Sequence, residues 1–154
     1  MVKKIALGAD HGGFLLKEKI IDALRKARYR VEDVGTYSPE SCDYPQFGFA
    51  AAKKVSDGKA DRAIVICKTG IGMAVIANKL PGVRAGACNS RDEALSARKH
   101  NDTNVLVLAA TKISRGKAVD ITRAWLRTGA LKGRHARRVR QIAELEEKVF
   151  RKRR

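Results

Sequence analysis

A chain of 154 residues, 44% of them hydrophobic, can bury one sizeable core and is too short for two ordinary domains. No apolar run approaches the roughly 18 residues of a membrane span, and Met1–Ile5 passes into a strand-like stretch without a signal-peptide core. Cys42, Cys67 and Cys88 fit neither a disulfide framework nor a zinc site, so reduced thiols, a cytoplasmic location and no metal are expected. The formal net charge of +17 predicts attraction to anions without choosing among phosphates, nucleic acid and acidic proteins. Ten Lys or Arg against three Glu in 132–154 put seven of those charges near the C-terminus. The last four residues, 151–154, read as a solvated basic tail on a domain spanning 1–150.

Along the chain, short runs rich in β-branched residues alternate with stretches of helical period. Lys4–Gly8 reads as a strand, Phe14–Ala27 as a helix with Leu15, Leu16, Ile20, Ile21 and Leu24 on one face, and Arg30–Val34 as a second strand. Gly35–Pro45 reads as a loop, Phe47–Val55 as a helix, Ala63–Cys67 as a third strand and Met73–Leu80 as a helix stopped by Pro81-Gly82. Val83–Cys88 is a fourth strand, Arg91–Arg98 a helix, Asn104–Ala109 a fifth strand, and Lys117–Thr128 and His135–Phe150 two further helices. The last helix has Val139, Ile142, Leu145 and Val149 on its inward face, more than a five-strand core needs, so a partner surface is expected to cover part of it unless its own subunit does. Strands as apolar as Ala63–Cys67 belong in a parallel sheet covered on both faces. The fold class is therefore α/β, a single-domain, doubly wound, Rossmann-like sheet of five parallel strands with a C-terminal helix.

Ligands in such sheets gather at the carboxyl ends of the strands. Strand one runs into Asp10-His11-Gly12-Gly13 and strand three into Cys67-Lys68-Thr69-Gly70-Ile71-Gly72, while His100-Asn101-Asp102 follows the fourth helix and is assigned to the same end. A strand end turning through glycines into a helix exposes backbone N–H groups, which suit a phosphate or a developing oxyanion and favour a nearby cysteine as thiolate. Taken alone, a cysteine ending a buried strand is more often a small core residue, and Cys42 and Cys88 keep that reading. A Walker loop fails on spacing, because Lys68-Thr69 precede the glycines, and a dinucleotide fingerprint fails because Val75 stands where a small residue is needed.

Six ordered motifs then make the chain resemble the ribose-5-phosphate isomerase type B family, with the related galactose-6-phosphate and allose-6-phosphate isomerases. They are Gly8-Ala9-Asp10-His11-x-Gly13-Phe14-x-Leu16-Lys17, Gly35-Thr36 with Asp43-Tyr44-Pro45, Cys67-x-Thr69-Gly70-x-Gly72, Ala77-Asn78-Lys79, His100-Asn101-Asp102 and Gly133-Arg134-His135-x-x-Arg138-Val139. The resemblance runs from about Lys3 to Ile142. It implies an aldose–ketose isomerase of sugar phosphates, most simply ribose 5-phosphate to ribulose 5-phosphate, with no cofactor. It also implies a homodimer or dimer of dimers with sites shared between subunits. In that pattern Cys67 moves the proton between C2 and C1, Thr69 handles the proton between the two oxygens, and His100 with Asp10 assists ring opening. The amides of Gly70, Ile71 and Gly72 face the enediolate oxygen, Asn101 and Tyr44 bind hydroxyls, and Arg134, Arg138 and His11 meet the phosphate.

Three departures stand out. Lys68 occupies the place of a familiar glycine beside the base. Leu108-Ala109-Ala110-Thr111-Lys112 lacks a familiar arginine able to meet phosphate, for which Lys68 or Lys112 could compensate, and Lys132 replaces a glycine. These leave open a catalytically altered sugar-phosphate-binding regulator. A nucleic-acid-binding protein would account for the charge, but 5% aromatic residues and the absence of a recognised reader motif speak against it.

Overall fold

The computed structural model describes residues 2–151. Its elements are β1 (Lys4–Ala9), α1 (Phe14–Lys26), β2 (Arg30–Asp33), α2 (Tyr44–Ser56), β3 (Arg62–Cys67), α3 (Ile71–Ala77), β4 (Ala85–Ala87), α4 (Arg91–Asn101), β5 (Val105–Ala109), α5 (Arg115–Arg127) and α6 (Arg134–Arg151). The five strands form one sheet in the order β2-β1-β3-β5-β4, every pair parallel. Successive side chains along a strand point to opposite faces, and the sequence divides them by size. Ile5, Leu7, Ile64, Ile66, Leu106 and Leu108 face a bulky core with α1 and α5. Ala6, Ala63, Val65, Cys67, Val105 and Val107 face a thinner one with α2 and α3.

Close packing on the thin side requires glycine. A Cβ on Gly8 would lie 2.5 Å from the Phe47 carbonyl oxygen, and one on Gly48 2.6 Å from the Met73 sulfur, so α2 rests directly on β1 and α3. On the bulky side Trp125 is fully buried and its indole N–H donates to Thr103 Oγ1 at 2.9 Å, which fixes α5 against the turn before β5. Lys17 of α1 is also fully buried, its ammonium 2.6 Å from Asp33 Oδ1 at the end of β2 and 3.2 Å from Glu18.

Several boundaries differ from the sequence reading. Pro45, read as a loop breaker, lies in the first turn of α2, where its missing N–H has no helical partner to lose. Strand β4 shrinks to three residues, α3 begins at Ile71 and ends at Ala77, α4 extends to Asn101, and Leu15, expected on the buried face of α1, is exposed beside the stripe of Leu16, Ile20, Ile21 and Leu24. The last helix packs on α4, yet its expected inward face is largely uncovered: Val139 is half-buried, whereas Ile142, Leu145 and Val149 are exposed, Leu145 by 62%. The tail read at 151–154 lies outside the described residues apart from the helical backbone of Arg151. Among the described residues no helix is long and apolar enough to cross a membrane.

Candidate active site

The chain reverses its direction of winding between β1 and β3. The segment after β1 turns to the α1 face and the segment after β3 to the α3 face, which opens a crevice between their carboxyl ends, the place where ligands bind in sheets of this kind. Cys67 closes β3 at this crevice and is buried, with the Gly70 N–H donating to its Sγ at 3.2 Å. Gly70 caps α3 at φ +78°, a left-handed conformation that a residue with a Cβ rarely adopts. The Gly70 amide, expected on the substrate oxygen, is thus already turned to the sulfur. The Ile71 N–H lies 3.4 Å from Thr69 Oγ1, and Thr69 is exposed at the mouth of the turn.

Across the crevice Asp10 is buried, its backbone N–H bonded to the Ile66 carbonyl at 3.2 Å and its Oδ1 accepting from the Gly13 N–H at 3.0 Å. His11 Nδ1 lies 3.2 Å from the Cys42 N–H and 3.3 Å from the Cys42 carbonyl oxygen, so the Cys42 backbone holds this ring nitrogen and Nε2 is the one left free. Tyr44, first residue of α2, lays its ring against Gly72: a Cβ there would be 2.5 Å from the ring Cζ and 3.0 Å from the hydroxyl oxygen. One end of the sheet therefore gathers Cys67, Thr69, Gly70, Ile71, Gly72, Asp10, His11 and Tyr44.

His100 and Asn101 are elsewhere, and their placement at the strands' carboxyl ends is corrected by the direction of α4. A helix in a β-α unit runs back toward the amino ends of the strands, so its last residues lie at the far edge of the sheet. The Asn104 carbonyl accepts from the Ala63 N–H near the start of β3, four residues before Cys67. At about 3.3 Å per residue that separates the two ends by ~13 Å. Asp102, at φ +45°, holds the turn by accepting from Arg98 at 2.6 Å and Arg84 at 3.1 Å. His100 stacks on His135 of α6, ring centroids 4.5 Å apart and planes 15° from parallel, beside a cavity of about 150 Å³. Arg134 and Arg138 are exposed on the first turns of α6. Partial burial, then repulsion from His100, Arg134 and Arg138, holds the His135 imidazole below the ordinary histidine value. The His100–His135 stack was not anticipated from the sequence, although one motif carries both residues of the Arg134-His135 pair.

A doubly wound parallel sheet with a crevice at its switch point defines a Rossmann-like α/β protein of the kind that holds a small ligand there. The sequence matches the Ribose/Galactose Isomerase family over residues 5–142. It is 41% identical over 147 residues to the ribose-5-phosphate isomerase B of Escherichia coli, covering 96% of this chain and 99% of that one. It is 38% identical over 144 residues to a D-erythrulose-4-phosphate isomerase of Pectobacterium atrosepticum, covering 92% and 94%. Among solved structures, ribose-5-phosphate isomerase B of Clostridium thermocellum superposes with a TM-score of 0.92 at 46% identity, covering 95% of this chain and 99% of that one. The Mycoplasma genitalium enzyme, with bound ribulose-5-phosphate, does so with 0.91 at 35%, covering 96% and 98%. The chain belongs to the ribose/galactose isomerase family.

Proposed function

We propose that this protein interconverts ribose 5-phosphate and ribulose 5-phosphate in the cytoplasm, with Cys67 as the base. It is an aldose–ketose isomerase of sugar phosphates. The observation that carries the choice of base is the buried Cys67 sulfur at the switch point, with the Gly70 N–H directed at it. The thiolate removes the proton from C2 of the opened aldose as its C1 carbonyl becomes an enediolate oxygen. The same thiol returns the proton to C1, and Thr69 carries the second proton from O2 to O1, so the C2 carbonyl of the ketose forms with no net gain or loss of protons. The amides of Ile71 and Gly72 face the charge that develops in between. Every step is carried by groups of the polypeptide.

The reading includes a second copy of the chain. His100 and Asn101, with Arg134 and Arg138, lie at the sheet end remote from Cys67, and they serve it from a partner subunit, in a homodimer or dimer of dimers. Two exposed apolar surfaces support this. Ile71 and Val75 lie beside the Cys67 turn on α3, and Ile142, Leu145 and Val149 run along α6 below Arg134 and Arg138. Burying one stripe against a partner's copy of the other joins the two half-sites and covers both.

The test is a turnover panel over tetrose, pentose and hexose phosphates with wild type and Cys67→Ala. Wild type is expected to prefer ribose 5-phosphate and Cys67→Ala to lose turnover by at least about 10³-fold, within the range covered by removal of an essential acid–base group. Preference for a four- or six-carbon phosphate would overturn the substrate assignment. Substrate binding without turnover in wild type would make the chain a regulator.

A further inference from the structure

Cys67 and Lys68 are successive residues at a strand end, so their side chains leave on opposite faces of the sheet. Cys67 points into the α2/α3 face. The Lys68 stem crosses the other way, over the turn after β1. A Cβ built on Gly12 would lie 2.4 Å from Lys68 Cγ and 3.1 Å from Lys68 Cε, so the lysine stem fills the space that any side chain at position 12 would take. The Lys68 backbone is anchored as well, its carbonyl accepting from Thr111 N–H at 3.1 Å and Thr111 Oγ1 at 2.7 Å. The lysine is thus aimed, with its stem seated in a notch and its carbonyl tied to the segment after β5.

Its charge has no use inside the subunit. Among the described residues no carboxylate lies within 4 Å of the Lys68 ammonium. The nearest carboxylate oxygen to the notch, Asp10 Oδ1, accepts from the Gly13 N–H and forms no ion pair with Lys68. On the same turn His11 has its Nδ1 committed to the Cys42 backbone, which leaves Nε2 as its free ring nitrogen. An unpaired cation and a free imidazole nitrogen therefore stand together on the base's own side of the crevice, whereas Arg134 and Arg138 stand at the other end of the sheet.

We propose that Lys68, seated in the Gly12 notch, binds the phosphate of the substrate from the same subunit as Cys67, making phosphate recognition a joint task of Lys68 and His11 with the partner's α6 arginines. The proposal rests on the isomerase reading for the identity of the anion. The phosphate is the group of such a substrate that carries full negative charge before and throughout the reaction, so a contact to it acts equally in ground and transition states and appears in KM rather than kcat. Lys112, the other cation near this rim, is exposed.

The experiment compares Lys68→Met, which keeps the stem and removes the charge, with Lys68→Arg, Gly12→Val and Lys112→Met. Loss of one charge-assisted contact predicts a KM for the sugar phosphate raised by at least about tenfold in Lys68→Met, with kcat within about twofold. Lys68→Arg restores most of the affinity. Gly12→Val, which evicts the stem while leaving the charge, gives the same KM shift as Lys68→Met. Calorimetric titration with inorganic phosphate is read without turnover, and its affinity falls in parallel; this arm stands even if the substrate assignment fails. The inference is overturned if Lys68→Met leaves KM and phosphate affinity unchanged, if the loss appears in kcat alone, or if Lys112→Met carries the effect instead.

Discussion

The proposed shared site makes a quantitative demand on how the protein works. Along β3 the end that holds Cys67 and the end that holds the His100 turn are ~13 Å apart, too far for two side chains to meet across one substrate's reacting carbons within a subunit. Cys67→Ala and His100→Ala chains are each expected to be inactive or nearly so. When equal amounts are mixed and allowed to exchange, half of the dimers are mixed at random assortment. In a mixed dimer the intact Cys67 of one chain faces the intact His100 of the other at one site, and both lesions fall together at the second. One of two sites in half of the dimers is about a quarter of wild-type activity. The assay is isomerase activity followed against time after mixing, with subunit exchange monitored by mass. If exchange is complete and activity stays at the level of the parents, both residues serve the same chain and the shared-site argument fails. A fully active monomer in sedimentation would refute it independently.

Three other outcomes follow from the same geometry. Asp33→Asn leaves the fully buried Lys17 ammonium with only Glu18 at 3.2 Å, and is expected to cost about 3 kcal/mol in urea unfolding, while adding Lys17→Met recovers much of that loss because the orphaned charge is gone. Equal losses in the single and double variants would show that the pair acts through packing alone. Burial, reinforced by Glu93, pushes the Cys88 thiol up to about 12, so at pH 8 it stays protonated, and iodoacetamide should label it only on unfolding; labelling of Cys88 in the native protein would contradict its placement. His135 titrates below the ordinary histidine value because its surroundings are partly buried and cationic. An anion bound by Arg134 and Arg138 offsets that repulsion and favours the protonated ring, so its NMR titration midpoint should rise when phosphate is added, and an unmoved midpoint would remove those arginines from the phosphate site.

The architecture was legible because the signals were local. Apolar β-branched runs such as Ala63–Cys67 and Asn104–Ala109 define strands, and the polar, glycine-bearing segments after β1 and β3 mark where the crevice lies. Contacts between residues distant in sequence were not legible. Nothing in the sequence says that Lys17 reaches Asp33, that Cys42 fixes the ring of His11, or that Gly12 is small because Lys68 lies on it. The exposed stripe of α6 was half legible: its period marks an apolar face, but periodicity cannot say whether that face is covered by its own subunit or by another. Four residues on it are too few to settle that from composition, and the packing of α6 on α4 alone leaves most of the stripe open.

The placement of His100 and Asn101 did carry a usable signal. Asp10, His11 and Cys67 end or follow strands, whereas His100 and Asn101 end a helix that precedes a strand. In a parallel sheet these two situations are opposite ends of the molecule, because each helix must carry the chain back to the edge where the next strand starts. Chain order within the β-α units therefore separates the functional motifs into two groups before any coordinates are consulted. Groups at both ends of one thin sheet cannot converge on one small sugar phosphate unless a second molecule supplies one of them. If both groups serve one site, as proposed, a partner subunit must supply one of them, and the exposed faces of α3 and α6 are the surfaces proposed to meet it.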